Sequence, residues 1–108
     1  MRFLTVITDQ IKNAEIFKGK IKEYDVIATF ADYAINEVAR YFINIHKAEI
    51  GIVVNKKAKV VSFRRAKESK VDVSILAKTL CEGGGSVAAA GGKLTEKFGE
   101  LTIQFKPC

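Results

Sequence analysis

The chain has 108 residues, 48% of them hydrophobic and 28% charged, which suits one soluble globular domain with its own core and excludes a disordered segment. Its net charge of +6 favours anionic partners without identifying them. The longest apolar run, around Ile50–Val54, is too short to span a membrane, and no small-residue cleavage site follows the N-terminal apolar residues, so a cytoplasmic protein with no membrane partner is expected.

In chain order, Phe3–Thr8 is rich in β-branched and aromatic residues and reads as a first strand. Asp9 as an N-cap and Gly19 as a stop frame a short helix or irregular turn through Ile11, Ala14, Ile16 and Phe17. A second strand spans Tyr24–Phe30. After it, Ala31, Ala34, Ile35, Val38, Tyr41, Phe42 and Ile45 recur at three- and four-residue steps, with Asn36, Glu37, Arg40, Asn44 and Lys47 on the other side, as in an amphipathic helix with one face on a core. Two apolar runs around the polar turn "NKKA" predict a β-hairpin, Ile50–Val54 with Val60–Arg64. Strand alternation puts Val60, Ser62 and Arg64 on one face and Val61, Phe63 and Arg65 on the other. "VDVSILAKTLC" follows as a helix that Asp72 or Ser74 can cap, with Val73, Leu76, Ala77 and Leu80 inward. Leu101, Ile103 and Phe105 alternate with Thr102 and Gln104, which predicts a closing strand. The order predicts a compact single α+β domain over residues 1–108, a mostly single mixed sheet covered by helices.

Candidate chemistry is sparse. Cys81 and Cys108 make no disulfide framework, and with His46 as the single histidine they make no zinc site. The four aspartates, Asp9, Asp25, Asp32 and Asp72, are scattered, whereas a two-metal hydrolytic centre needs convergent ligands. The run Cys81–Gly92, "CEGGGSVAAAGG", stands out. Consecutive glycine N–H groups can form an anion-binding concavity, and a short helix over Val87–Ala90 would add its dipole. A flexible connector is the competing reading, although a linker would carry more polar residues and fewer alanines. Arg64, at the end of a central strand, suits a phosphate or carboxylate, or else a structural ion pair with Glu49, Glu68 or Asp72.

Taken together, Ser62, Arg64, Val71–Asp72, Gly83–Gly84–Gly85 and Ala89–Ala90–Gly91 resemble the signature of the DHH-associated C-terminal domain of the DHH phosphoesterase superfamily, of the RecJ-like exonuclease and nanoRNase type. The resemblance covers about residues 24–105. It implies a phosphate-binding or nucleic-acid-end-binding site made by Arg64, Ser62, Gly83, Gly84, Gly85 and Ser86. It also implies that catalysis, with its manganese, belongs to a separate DHH lobe. The chain by itself is then no enzyme, needs no cofactor, and has as partners a short nucleic acid or nucleotide with a terminal phosphate and a DHH lobe. Ser86 stands where the family has His, and Glu82 where it often has a further glycine. These departures keep open a stand-alone structural or homodimerisation domain with a weakened or lost ligand site. A complete small enzyme is the third reading, which manganese-dependent turnover by the purified chain would establish.

Overall fold

The computed structural model describes residues 11–12 and 14–108. Within them the chain runs β1 (Ile16–Ile21), β2 (Tyr24–Phe30), α1 (Ile35–His46), β3 (Ile50–Asn55), β4 (Val60–Arg65), α2 (Val73–Cys81), β5 (Gly84–Gly85), β6 (Ala89–Lys93), α3 (Glu96–Thr102) and β7 (Lys106–Pro107). The strands form one seven-stranded sheet in the order β5-β6-β4-β3-β2-β1-β7. Only β2 and β3 pair in parallel, through the α1 crossover, and every other pairing is antiparallel. The mixed sheet and its covering helices make a single α+β domain, as the sequence predicts.

Two cores lie on opposite faces of the sheet. α1 buries Val38, Ala39, Phe42 and Ile43 against Ile27 and Val53 on one face. On the other, Val26, Ile50, Ile52, Val54, Val61 and Phe63 meet Val73, Leu76, Ala77, Leu80 and Cys81 of α2, together with Phe98 of α3. β3 is buried from Ile50 to Val54 because it has a helix on each face, which is why its sequence is a continuous apolar run rather than an alternating one. The β3–β4 hairpin has the expected pairing, with Ile52 opposite Phe63 and Val53 opposite Ser62. Asp72 caps α2, its carboxylate accepting from the Ser74 N–H at 2.9 Å and the Ser74 hydroxyl at 2.5 Å. These bonds hold the Asp72 carboxyl below its ordinary range. Burial in the α2 core pushes the Cys81 thiol up to about 11.

Three expectations are corrected. The first is Gly19, which stops no helix but lies in β1, paired with Val26. β1 alternates Phe17, Gly19 and Ile21 against the exposed Lys18 and Lys20. A Cβ on Gly19 would sit 2.1 Å from the Phe105 ring, so this glycine makes room for an aromatic side chain arriving from the far end of the chain. The second is the segment Val87–Ala90, which forms no helix. A turn at 86–89 leads into β6, where Phe63 pairs with Ala90 and Arg64 with Ala89. Alanine and glycine have low strand preference, and tertiary packing between β4 and α2 overrides it. The third is Leu101–Phe105. Thr95 caps α3 by accepting from the Phe98 N–H at 3.1 Å, and the segment continues as helix to Thr102. Phe98 is buried and Leu101 half-buried, three residues apart on one side of that helix, while Ile103 is 84% exposed. The strand expected at Phe3–Thr8 and the Asp9 cap lie outside the described residues.

Candidate anion site on the open half of the sheet

The glycines answer to close packing. Glu82 ends α2 in the left-handed region at φ 53, and the Gly83 N–H donates to the Ala77 carbonyl at 3.0 Å. The chain then turns back as β5 and pairs with β6, Gly84 opposite Gly91 and Gly85 opposite Ala90. A Cβ on Gly83 would lie 2.0 Å from the Gly91 carbonyl oxygen, and one on Gly92 would lie 2.4 Å from that of Cys81. Gly85 adopts φ 148 and faces the Ala89 carbonyl. Gly84 differs, because a Cβ there meets nothing within 4 Å. The segment therefore follows the C-terminus of α2 and joins the sheet edge, and the helix dipole expected to assist it at an N-terminus is absent from this arrangement.

The sequence-derived site residues divide by face. Gly84, Gly91 and Ser62 are registered side by side across β5, β6 and β4, and Arg64 and Ala89 pair two residues further along. Directly opposed residues share a face, so these five lie on the α1 side. Gly85 shares the opposite side with Ala90 and Phe63. Ser86 forms the β5–β6 turn. Its N–H donates to the Ala89 carbonyl at 2.8 Å, its hydroxyl donates to the same carbonyl at 3.1 Å, and the Ala89 N–H donates back to that hydroxyl. Ser86 thus spends its donors on the turn. Glu82 pairs with Lys93 at 3.8 Å, and Lys93 lies opposite Val60, four strand residues from the Arg64 row and so roughly 13 Å from it.

Arg64 and Arg65 diverge as alternation requires. Arg65 reaches the Val71 carbonyl at 3.3 Å, beside the start of α2. Arg64 turns to α1. Its Nε donates to Asn36 Oδ1 at 2.5 Å, and its Nη1 donates to the carbonyls of Phe63 at 2.9 Å and Ala90 at 3.4 Å. None of these partners carries charge. Partial burial, and after it the charge of Arg40 one α-helical turn beyond Asn36, make Arg64 bind its proton less tightly than an ordinary arginine. Asn36, Arg40, Arg64, Arg65, Ala66, Lys67, Ala88 and Ala89 line a cleft of about 530 Å³ that contains no carboxylate. Among the described residues the ion pairs are Lys20–Asp25 and Lys93–Glu82, neither of them in this cleft.

Asn36, Arg40 and Lys67 are the residues that sequence reasoning assigned no role. Asn36 and Arg40 read as part of the solvated side of α1. Their four-residue spacing on one helix face is the available signal, and it gains meaning only when the crossover sets α1 beside β4.

No group of three or more His, Cys, Asp or Glu among the described residues could hold a metal ion. Asp25 pairs with Lys20, Asp72 caps α2, and His46 stacks on Phe42 with ring centroids 6.2 Å apart. No helix among the described residues is long and apolar enough to cross a membrane.

No family model and no curated protein matches the sequence. The fold is nevertheless shared with solved structures that include proteins of phosphate chemistry. An uncharacterized protein from Helicobacter pylori matches 93% of this chain at 20% identity and a TM-score of 0.62, over 29% of its own length. An exopolyphosphatase-related protein from Bacteroides fragilis matches 94% at 19% identity and 0.59, over 33% of its length. A pGpG-specific phosphodiesterase from Vibrio cholerae matches 93% at 12% identity and 0.57, over 36% of its length. The chain spans about a third of each of these proteins.

Proposed function

We propose that this chain is a substrate-binding domain of the DHH-associated type, which holds the phosphate-bearing end of a short nucleic acid or nucleotide while a separate lobe carries out hydrolysis. The observation that carries the reading is Arg64. It is anchored only by neutral acceptors, crowded by a second arginine, and set beside a strip of sheet whose residues, Ser62, Gly91 and Gly84, have small side chains or none. An anion there would relieve the repulsion between the two guanidinium groups and accept charge-assisted bonds from Arg64. The fold shared with an exopolyphosphatase-related protein and a pGpG-specific phosphodiesterase supports a phosphorylated substrate.

The test is titration of a 5′-phosphorylated oligonucleotide at fixed salt. Arg64→Ala removes one charge-assisted contact and is expected to weaken binding by about 1.5–3 kcal/mol, roughly ten- to a hundredfold. Arg65→Ala should cost less, because Arg65 lines the same cleft but its Nη1 is turned to the Val71 carbonyl and its strand position faces the other side. A larger loss for Arg65→Ala than for Arg64→Ala overturns the reading.

A dimerisation domain is the alternative, and one observation favours it. On the α3 side, Phe17, Phe30, Leu94, Phe98, Ile103 and Phe105 line an apolar groove of about 470 Å³. A second copy of the chain is the occupant this reading requires. A dimer in solution that Ile103→Asp dissociates would support it, and a monomer at high micromolar concentration would remove it.

A further inference from the structure

Asn36 and Arg40 place a second donor set in the cleft that Arg64 lines. The Asn36 carbonyl oxygen accepts from Arg64 Nε, which orients the amide so that its nitrogen is the end left to donate to a ligand. Arg40 lies four residues on, along the same face of α1. It has no hydrogen-bond acceptor and no carboxylate partner among the described residues, and it lines the cleft with Arg64. Two guanidinium groups lining one cleft without an acid suit a ligand group bearing two negative charges better than a group bearing one.

Resting on the phosphate-binding reading of Arg64, we infer that Arg40 and Asn36 make the site selective for a terminal phosphomonoester over an internal phosphodiester. A monoester carries a second charge above its second pKa, near 6, and presents three terminal oxygens, whereas a diester carries one charge and two. Arg64 contributes to binding either group. Arg40 contributes chiefly where the second charge exists, and Asn36 both fixes the Arg64 fork and donates to the third oxygen. The charged groups facing this position are Arg40 from α1, Arg64 and Arg65 from β4, and Lys67 after β4, while the 86–89 turn brings none.

The experiment compares a 5′-phosphorylated dinucleotide with the same dinucleotide lacking that phosphate, both titrated into the full chain. The wild type is expected to bind the phosphorylated probe at least tenfold more tightly at pH 8, with the preference shrinking towards pH 5 as the monoester takes up its second proton. Arg40→Ala should bring the preference to within about twofold, Arg40→Lys should retain part of it, and Lys97→Ala, a change to an exposed cation on α3, should leave it unchanged. Equal binding of both probes by the wild type, or a preference that survives Arg40→Ala, overturns the selectivity while leaving the Arg64 site standing. Failure of the phosphorylated probe to bind at all overturns both.

Discussion

The two faces of the sheet are made by the same strands and finished in different ways. Beneath α2 and α3, β4 and β6 present Val61, Phe63 and Ala90, and every one is covered. On the α1 side the same two strands present Ser62, Arg64, Ala89 and Gly91, all only half-buried, and α1 packs on β2, β3 and β4. The difference teaches where the domain places its stability and where it leaves room for a ligand. Apolar burial on the α2 face holds β5 and β6 in place. That frees their other face from any packing duty, so it can consist of small residues beside fixed cations.

This contrast can be broken most sharply at its apolar centre. Phe63 is fully buried and packs edge to face on Phe98 with ring centroids 6.1 Å apart. Phe63→Ala is expected to cost about 3–5 kcal/mol in chemical denaturation, and a loss below 1 kcal/mol would mean that the α2 face is not the stabilising one. The paired glycines come next. Gly83→Ala forces a Cβ against the Gly91 carbonyl and should cost about 1–3 kcal/mol. Gly84→Ala, pointing into open space from the next residue, should stay within about 0.5 kcal/mol of wild type. If thermal melts reverse that order, the β5–β6 pairing is wrong.

The smallest effect is an acid one, on the closed face. Hydrogen bonds from Ser74 depress the Asp72 carboxyl in the folded state, so its contribution is present above the ordinary carboxylate pKa and is lost as pH falls through the depressed value. Asp72→Asn keeps an acceptor for the cap but not the titration. The melting temperatures of the two proteins should therefore converge on acidification, and a gap that stays constant from pH 7 to pH 2 would contradict the cap.

The central strands and the two longer helices packed on them were far more legible in the sequence than the rest of the domain. α1, α2, β2 and the β3–β4 hairpin follow from apolar periodicity, because each buries a continuous stripe. Arg64 and Arg65 fall on opposite faces as alternation requires. β1 was hidden because Lys18 and Lys20 interrupt it and Gly19, an apparent helix stop, is packing space for Phe105. β6 was hidden because Ala89, Ala90, Gly91 and Gly92 have no local preference for a strand and take one from β4 and α2. α3 imitates a strand through the chance alternation of Leu101, Ile103 and Phe105, while the Thr95 cap that decides the matter lies six residues before Leu101. Of the candidate site, the motif pointed to Ser62, Arg64 and the glycines. It could not show that Ser86 is spent on its own turn, nor that Asn36 and Arg40 stand beside Arg64, since both depend on which strand the crossover helix covers.

The pairing of β1 with β7 carries a kinetic consequence. Phe17 lies opposite Pro107, roughly ninety residues away along the chain. The β2-α1-β3-β4 unit can assemble from neighbouring segments, whereas seating Phe105 over Gly19 requires closing nearly the whole chain into a loop. That edge should form late in folding and open early in unfolding. The amides of β1 are then expected to exchange with solvent ahead of those in β3, while the strands bearing Arg64 remain protected to the end.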